Sequence, residues 1–416
     1  STAAFFSAAA RHLPLEFGLA RRILEREGHA VALIDAHLFD LSLSDIAAEL
    51  CAFAADMAVV TTAPTYLFWR CAPPELRAPQ EICAAIRDVV PLLVAVGPHG
   101  STTPRAALRK LGVDIVVMGE CEETLARLAG GADAGLPGTC HREGSAIRVN
   151  GGPLAARFVD QPALSWPRAT IARHRHHHHR FDAEPIGPGA EVEASRGCPY
   201  SCTFCAKENF RNRYRRRAVG EVLREVEGLR KAGAEYVYFI DEIFLPDEEL
   251  LRGLVRQGLK FGVQTRIDLW RPEMLALLGR AGCVSVEAGV ESLTEHGRAA
   301  LDKRCRITTD QLAERLIEAK RHVPFVQANL IEMPHDDEEE VQRWRERMRE
   351  AGVWANDPVP LFPYPGSPDY RRLWGVPDDD AWERAHAYYL EQFATFSDVQ
   401  GREPRPLREL ELRAPG

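Results

Sequence analysis

Cysteine is scarce in this chain. Ten cysteines among 416 residues fall well below the roughly 8% that marks a disulfide-stapled secreted domain. Long apolar runs are missing too, since none approaches the ~18 residues that a membrane-spanning helix needs. Residues 1–12 lack the basic start, apolar stretch and small-residue cleavage site of an export signal. The expectation is a cytoplasmic protein with no membrane span. Lysine is rarer still, with six Lys beside 46 Arg, a bias that a GC-rich genome produces without functional cause. A basic excess is also absent: 60 acidic residues outnumber 52 basic ones for a net charge of -8, which argues against a nucleic-acid partner. The one basic run, Arg211, Arg213, Arg215, Arg216 and Arg217, reads as a solvated face.

What is present is an ordinary globular composition, 45% hydrophobic and 27% charged, with length for two to three domains. In the first part, apolar strands at 31–36, 57–63, 92–97 and 115–120 alternate with helical patterns at 15–28, 43–54 and 75–90. Continuous apolar strands separated by helices are what a parallel sheet covered on both faces requires. This predicts a doubly wound, Rossmann-like domain over residues 1–130. The helix at Leu15 has no strand before it, so a first strand is expected from natural sequence upstream of Ser1. Residues 131–188 read as a linker with a hairpin near Gly144 and a His-rich stretch, His174 and His176 to His179. Consecutive histidines do not share a face, so positioning or substrate contact is a better reading than metal. From 189 to 370 the alternation resumes. Strands at 192–197, 236–242, 261–267, 284–289, 325–331 and 358–364 predict an open, partial (β/α)6 barrel with its chemistry at the C-terminal strand ends. Residues 371–416 form a helical, then Pro-rich, extension.

Three of the ten cysteines, Cys198, Cys202 and Cys205, fall within eight residues directly after the first of these strands. Three thiolates on one loop can hold three irons of a 4Fe-4S cluster and leave the fourth iron without a protein ligand. A structural zinc site would want a fourth Cys or His at fixed spacing, for which only the distant His174 to His179 stretch is available.

The spacing C-x-x-x-C-x-aromatic-C, with Phe204 as the aromatic and Ser195-Arg196-Gly197 before it, resembles the signature of radical S-adenosylmethionine (SAM) enzymes. The resemblance implies a 4Fe-4S cluster whose open iron is chelated by SAM, and a 5'-deoxyadenosyl radical released by electron injection from a donor such as flavodoxin or ferredoxin. Further matches lie at strand ends. Asp241 and Glu242, in the segment ending at Phe244, resemble acids that meet the methionyl ammonium. Arg266, beside Asp268, offers a cation for a carboxylate. Glu287, Gly289, Glu291 and Ser292 resemble a G-x-E-S segment near the SAM ribose, and Asn329 is a further candidate. The segment from Pro363 to Ser367 also matches the family.

The first domain, with Val96-Gly97-Pro98-His99-Gly100 and Gly119-Glu120-Cys121-Glu122, resembles the cobalamin-binding domain fused to many radical SAM enzymes. Glycine at strand ends admits close approach of a bulky ligand. The resemblance implies cobalamin contacts at Gly97, Pro98, His99, Gly119 and Glu120, and at the hydroxyl- and aromatic-rich loop of Thr61, Thr62, Ala63 and Tyr66. That loop and the His-rich string together resemble a subgroup with glycosyltransferase-type neighbours. The D-x-H-x-x-G motif that supplies an axial histidine is absent, because Asp40 stands where Gly belongs after Asp35 and His37. Cobalamin is therefore expected without a protein histidine ligand; a fold that has lost cobalamin is the alternative.

The resemblance implies a cobalamin-dependent radical SAM enzyme that methylates an unactivated carbon of a small-molecule or saccharide-type substrate. Rearrangement, cyclisation or oxidation is the alternative within the class, and a non-catalytic cobalamin or cluster sensor is the alternative outside it. The last cysteine is Cys305, so the C-terminal third has no cysteine-rich auxiliary cluster.

Overall fold

A computed structural model of the chain describes residues 12–63, 74–174, 187–207, 211–334 and 336–392. The first half carries α1 (Leu15–Arg26), α2 (Ala36–Phe39), α3 (Leu43–Phe53), β1 (Met57–Thr61), α4 (Arg77–Ile86), β2 (Leu92–Val96), α5 (Pro98–Thr102), α6 (Pro104–Leu111), β3 (Ile115–Val117), α7 (Glu122–Ala129), β4 (Thr139–Glu143) and β5 (Ala146–Asn150). The five strands form one sheet in the order β1-β2-β3-β4-β5. β1, β2 and β3 pair in parallel.

The run of apolar residues in β2 is explained by what lies on each side. Leu93 and Ala95 pack with Ile46, Ile86 and Leu108 on one face, while Val94 and Val96 pack with Ala20 and Leu125 on the other. Successive side chains of a strand point to opposite faces, so a sheet buried on both sides demands apolar residues at every position.

Two elements differ from expectation. Residues 31–36 join no ladder, and β1 pairs with β2 alone among the described strands. An extended segment becomes a strand only when a neighbour takes up its N–H and C=O groups. Here Asp35 accepts from the Leu38 amide at 2.9 Å and starts α2. The hairpin read as part of the linker continues the first sheet, with β4 antiparallel to β3 and β5 antiparallel to β4. Gly144 provides the positive φ of its turn, 60°.

After α8 (Arg168–Arg173), the second half runs through β6 (Gly189–Val192), the ribbon β7 (Ser195–Arg196) and β8 (Arg215–Arg216), α9 (Val219–Ala232), β9 (Tyr236–Phe239), α10 (Glu248–Val255), β10 (Lys260–Thr265), α11 (Pro272–Arg280), β11 (Cys283–Glu291), α12 (Glu295–Ala300), α13 (Thr309–His322), β12 (Phe325–Leu330), α14 (Glu338–Glu350) and β13 (Trp354–Ala355). α15 (Pro368–Trp374) and α16 (Ala381–Gln392) follow. The barrel strands form an open six-stranded sheet in the order β13-β12-β11-β10-β9-β6, every pairing parallel. The expected partial (β/α)6 barrel is present with its ends redrawn. The first strand stops at Val192, so the residues before Cys198 leave the sheet. The sixth strand is Trp354–Ala355, and residues 358–364 contribute only the bridge from Val359 to Ile331. Pro358, Pro360 and Pro363 carry no N–H to extend a ladder.

Gly119 marks where the chain crosses back over the first sheet. Its φ is 82°, and a Cβ there would lie 2.2 Å from the Leu154 carbonyl oxygen and 2.4 Å from its amide nitrogen. The glycine serves this crossing, and a Gly119→Ala variant is expected to lose about 2–4 kcal/mol of stability, read from its chemical denaturation midpoint against wild type.

Candidate functional site

The segment between β6 and Cys198 is shaped by buried charge. Arg196 is completely buried and contacts three carboxylates: Glu193 at 2.9 Å, Glu122 at 2.6 Å and Glu120 at 3.3 Å. Its guanidinium also lies 4.5 Å from the Phe158 ring centre. Glu120 and Glu122 belong to the first half, so this arginine joins the two halves immediately before the cysteine loop. Arg215 adds a 2.8 Å bond to Glu120. Arg211 reaches Glu16 of α1 at 2.8 Å and Glu242 at 3.4 Å, and is bonded to Glu193. The run expected as a solvated face is thus divided: Arg213 and Arg216 are exposed, but Arg211 and Arg217 are buried, and Arg217 pairs with Glu225 at 2.7 Å. Charge alone did not reveal that carboxylates remote in sequence would converge on it.

The two acids after β9 act on the same segment. Asp241 accepts from the Ala194 amide at 2.8 Å and the Ser195 hydroxyl at 2.5 Å. Glu242 accepts from the Gly197 amide at 2.7 Å. Gly197 has φ 76° and a Cβ there would sit 2.3 Å from the Arg213 carbonyl oxygen, so only glycine fits. Burial pushes Asp241 up to about 8 despite the hydrogen bonds from Ser195 and Ala194. Burial also raises Glu242, against the pull of Arg211.

Cys198, Cys202 and Cys205 are free and half-buried. The Cys205 amide donates to the Cys202 carbonyl at 3.1 Å, and the Thr203 amide donates to the Leu301 carbonyl at 3.0 Å. The Thr203 hydroxyl donates to Asp369 at 2.9 Å. Burial pushes the thiol of Cys198 up to about 11 and that of Cys205 up to about 12, and raises Cys202. Bound metal reverses that preference by taking the thiolate. Among the described residues, no three His, Cys, Asp or Glu side chains converge on a point where one metal ion could sit. Three thiols on one anchored loop suit a cluster, where each sulfur takes its own iron, whereas a structural zinc ion wants a fourth Cys or His.

The remaining residues expected at SAM lie along the C-terminal strand ends. Phe204 is half-buried within the loop. Arg266 follows β10, pairs with Asp268 at 2.8 Å and lies 4.0 Å from the Tyr200 ring centre. Glu287 is buried on β11, in register with Gln264 and Gln327. Glu291 takes a left-handed φ of 68° and accepts from Lys303 at 2.8 Å. Asn329 accepts from Gln327 at 2.7 Å. Ser292 is fully buried and donates to Asp336 at 2.6 Å, which makes it a brace of the turn after β11. Lys303 was missed from the sequence. It is 2% exposed and sits between two left-handed residues, Asp302 and Arg304 (φ 47° and 54°). Arg266 donates to its carbonyl. Its sequence signal was faint, one of six lysines in a polar stretch.

On the cobalamin side, β1 and β2 bring Thr62 and Gly97 together. A Cβ on Gly97, which has φ 115°, would lie 2.6 Å from the Thr62 hydroxyl. Thr62 is buried, and its hydroxyl has no hydrogen-bond partner among the described residues. The Thr61 hydroxyl is taken by the Ala63 carbonyl at 2.9 Å. Pro98 opens α5. His99 is fully buried, 3.4 Å from the Pro74 carbonyl oxygen and with its ring centre 4.0 Å from that of Trp382. Burial pushes it down to about 3, so the ring is neutral. Gly119 and Glu120 are turned to other tasks, the Leu154 crossing and the arginine pairs. Tyr66 and His176 to His179 lie outside the described residues. The orphaned Thr62 hydroxyl at adjoining strand ends suits a polar ligand in the expected crevice.

The C-terminal helices border both loops, which sequence reading did not anticipate. Phe362, Tyr364, Tyr370, Trp382 and Tyr389 form an aromatic core around Ala206 of the cysteine loop, with Ala63 packed against it. Trp382 donates to the Thr103 hydroxyl at 3.1 Å, and Lys110 pairs with Glu383 at 2.7 Å.

The charge network sets a pH dependence. Burial pushes Glu16 up to about 7, against Arg211. Burial also opposes ionisation of Glu193, but Arg196 and Arg211 outweigh it and hold that acid at about 2. Glu16 binds its proton more tightly folded than unfolded, so its contribution is greatest below the ordinary value of 4.5 and declines as pH rises to about 7. Glu193 behaves oppositely, losing its contribution as pH falls from 4.5 to about 2. A Glu16→Gln variant is expected to lose less stability than wild type between pH 4.5 and 7, as thermal melts across that range would record. Arg196→Met leaves buried Glu122 without its cation, while Glu120 keeps Arg215 and Glu193 keeps Arg211, and is expected to cost about 3–5 kcal/mol, measured by denaturant unfolding at pH 7.

Comparison with known proteins agrees with this geometry. The Radical SAM superfamily profile matches residues 192–348, and the B12 binding domain profile matches residues 2–129. An uncharacterized methyltransferase of Pyrococcus horikoshii is 25% identical over 365 residues, covering 84% of this chain and 75% of that protein. The anaerobic magnesium-protoporphyrin IX monomethyl ester cyclase of Cereibacter sphaeroides is 26% identical, covering 72% of this chain and 52% of that protein. The hopanoid C-3 methylase of Methylococcus capsulatus is 26% identical, covering 85% and 67%. Among solved structures, the radical SAM methyltransferase TsrM of Kitasatospora setae, with cobalamin and a 4Fe-4S cluster bound, superposes with a TM-score of 0.66 at 22% identity, covering 86% of this chain and 71% of that one. The cobalamin-dependent radical SAM enzyme OxsB gives 0.67 at 16% identity, covering 96% and 55%. The two domains imply a 4Fe-4S cluster, SAM and cobalamin as cofactors, and the chain carries a Radical SAM superfamily domain behind an N-terminal B12 binding domain.

Proposed function

We propose that this enzyme transfers a methyl group to an unactivated carbon of a small-molecule or saccharide-type substrate, using a 5'-deoxyadenosyl radical and methylcobalamin. The observation that carries the reading is the Arg196 junction. It bonds the loop of Cys198, Cys202 and Cys205 to Glu120 and Glu122 of the B12-binding domain. That union supports one chamber served by both cofactors. The methyltransferase names of two relatives lend further support.

In this reading each residue has a task. Cys198, Cys202 and Cys205 hold the cluster, and bound SAM supplies the radical chemistry. Asp241 and Glu242 fix the approach to the loop through Ala194, Ser195 and Gly197. Arg266 and Lys303 offer cations, and Glu287, Glu291 and Asn329 offer acceptors, to the amino-acid and ribose ends of SAM. Phe204 stands within the loop beside it, and Ser292 braces the turn. Thr61, Thr62, Ala63, Gly97 and Pro98 border cobalamin, while neutral His99 supports these strand ends by packing on Trp382. The aromatic C-terminal core restricts water. A small acidic electron-transfer protein of flavodoxin or ferredoxin type would supply the electron. Three cyclases among the relatives favour cyclisation or oxidation as the second reading.

Anaerobic incubation of the reconstituted chain with reductant, methyl-deuterated SAM and host extract separates these readings. Methyl transfer predicts 5'-deoxyadenosine together with a product that carries the label. Cyclisation predicts 5'-deoxyadenosine and an unlabelled product. Cys198→Ala, Cys202→Ala or Cys205→Ala is expected to reduce 5'-deoxyadenosine by at least a hundredfold. Absence of corrinoid from anaerobically purified protein would reject the methyl-transfer reading.

A further inference from the structure

Lys207, two residues beyond Cys205, is 6% exposed. Its ammonium has three protons to donate, and three oxygens surround it: the Cys198 carbonyl at 2.8 Å, the Asn212 carbonyl at 3.3 Å and the Asn212 side-chain oxygen at 3.0 Å. All three are neutral. Among the described residues no carboxylate lies within ion-pair distance of it.

That sets Lys207 apart from the other buried cations around the loop. Arg196, Arg211, Arg266 and Lys303 each have carboxylate partners. Arg298 also lacks one, but its contacts are the Ser292 carbonyl and Thr309, at 2.9 and 3.1 Å. A buried charge without a counter-charge is strongly disfavoured, and Lys, unlike Ser or Asn, is almost never fully buried unless paired. Among the described residues, then, no anion faces Lys207. The hydrogen bond to the Cys198 carbonyl sets the ammonium against the cysteine loop, whose thiols become anionic on taking iron.

We propose that the counter-ion of Lys207 is the cysteinyl cluster itself, and that this lysine is a positioning residue whose fixed charge raises the cluster's reduction potential. The inference rests on the reading that Cys198, Cys202 and Cys205 hold an iron–sulfur cluster. An iron–sulfur core bound by three thiolates is an anion, and one added electron deepens its charge. A cation held in place by three oxygens stabilises the reduced form more than the oxidised form. The hydrogen bond to the Cys198 carbonyl also tethers the charge to the first cysteine, so that the ammonium cannot swing into solvent.

The test is an EPR-monitored redox titration of the full chain, reconstituted anaerobically with iron and sulfide. Wild type is compared with Lys207→Gln and Lys207→Arg, and iron content and visible absorption are checked for each. Glutamine keeps an N–H donor for the Cys198 carbonyl and removes the charge. At the potential where the wild-type cluster is half reduced, Lys207→Gln is expected to show a reduced-to-oxidised ratio at least tenfold lower, equivalent to about 59 mV for one electron. Lys207→Arg is expected to stay within twofold of wild type. Equal ratios in wild type and Lys207→Gln would overturn the proposal. Should Lys207→Gln fail to retain iron, retention by Lys207→Arg supports the need for positive charge. Loss in both overturns it in favour of a purely geometric role. A wild-type chain that takes up no cluster would remove the anion and overturn the cysteine reading together with this one.

Discussion

The site depends on one buried guanidinium. Arg196 sits where the cysteine loop leaves the barrel and spends its donors on Glu193 of its own half and on Glu120 and Glu122 of the other. Taking an ion out of water costs several kcal/mol, and here three carboxylates offset that cost only while both halves are docked. Arg211 extends the contact to Glu16 and Glu242, and Arg215 adds a second cation to Glu120. Such a network contributes more to a unique geometry than to net stability.

From this junction the rest of the site follows in order. Asp241 and Glu242 secure the segment from Ala194 to Gly197, and Gly197 permits the bend into Cys198. Thr203 anchors the middle of the loop to Leu301 and Asp369, and Lys207 closes it on the Cys198 carbonyl. Across the junction, Trp382 and the aromatic core link the loop near Ala206 to the strand ends of the B12-binding domain. Polar residues dominate the approach to the loop, and aromatic residues fill the core packed against Ala206.

Much of this was legible in the sequence. Apolar runs such as Leu92–Val96 carried the parallel sheet because both faces of it are buried, and the spacing of Cys198, Cys202 and Cys205 carried the resemblance to the radical SAM signature because it is local to one loop. The less legible parts share a cause. Residues 31–36 have the composition of a strand, yet strand formation depends on a neighbour. The arginines from 211 to 217 have the composition of a surface, yet three of them meet acids far away in the chain. Glu120 and Gly119 occupy motif positions suited to a cofactor, yet the arginine pairs and the Leu154 crossing take them first. Lys303 and Lys207 carry no motif at all, and only their burial singles them out.

The sequence by itself determined the classes of element, their order, the three cysteines and the family of chemistry, since these rest on local periodicity and on spacing within a few residues. Tertiary structure alone decided which charges are buried, which acids serve the loop, and how the two halves meet. Those outcomes depend on the free energy of groups brought together from distant parts of the chain, where burial multiplies the strength of each charge and makes an unpaired one costly.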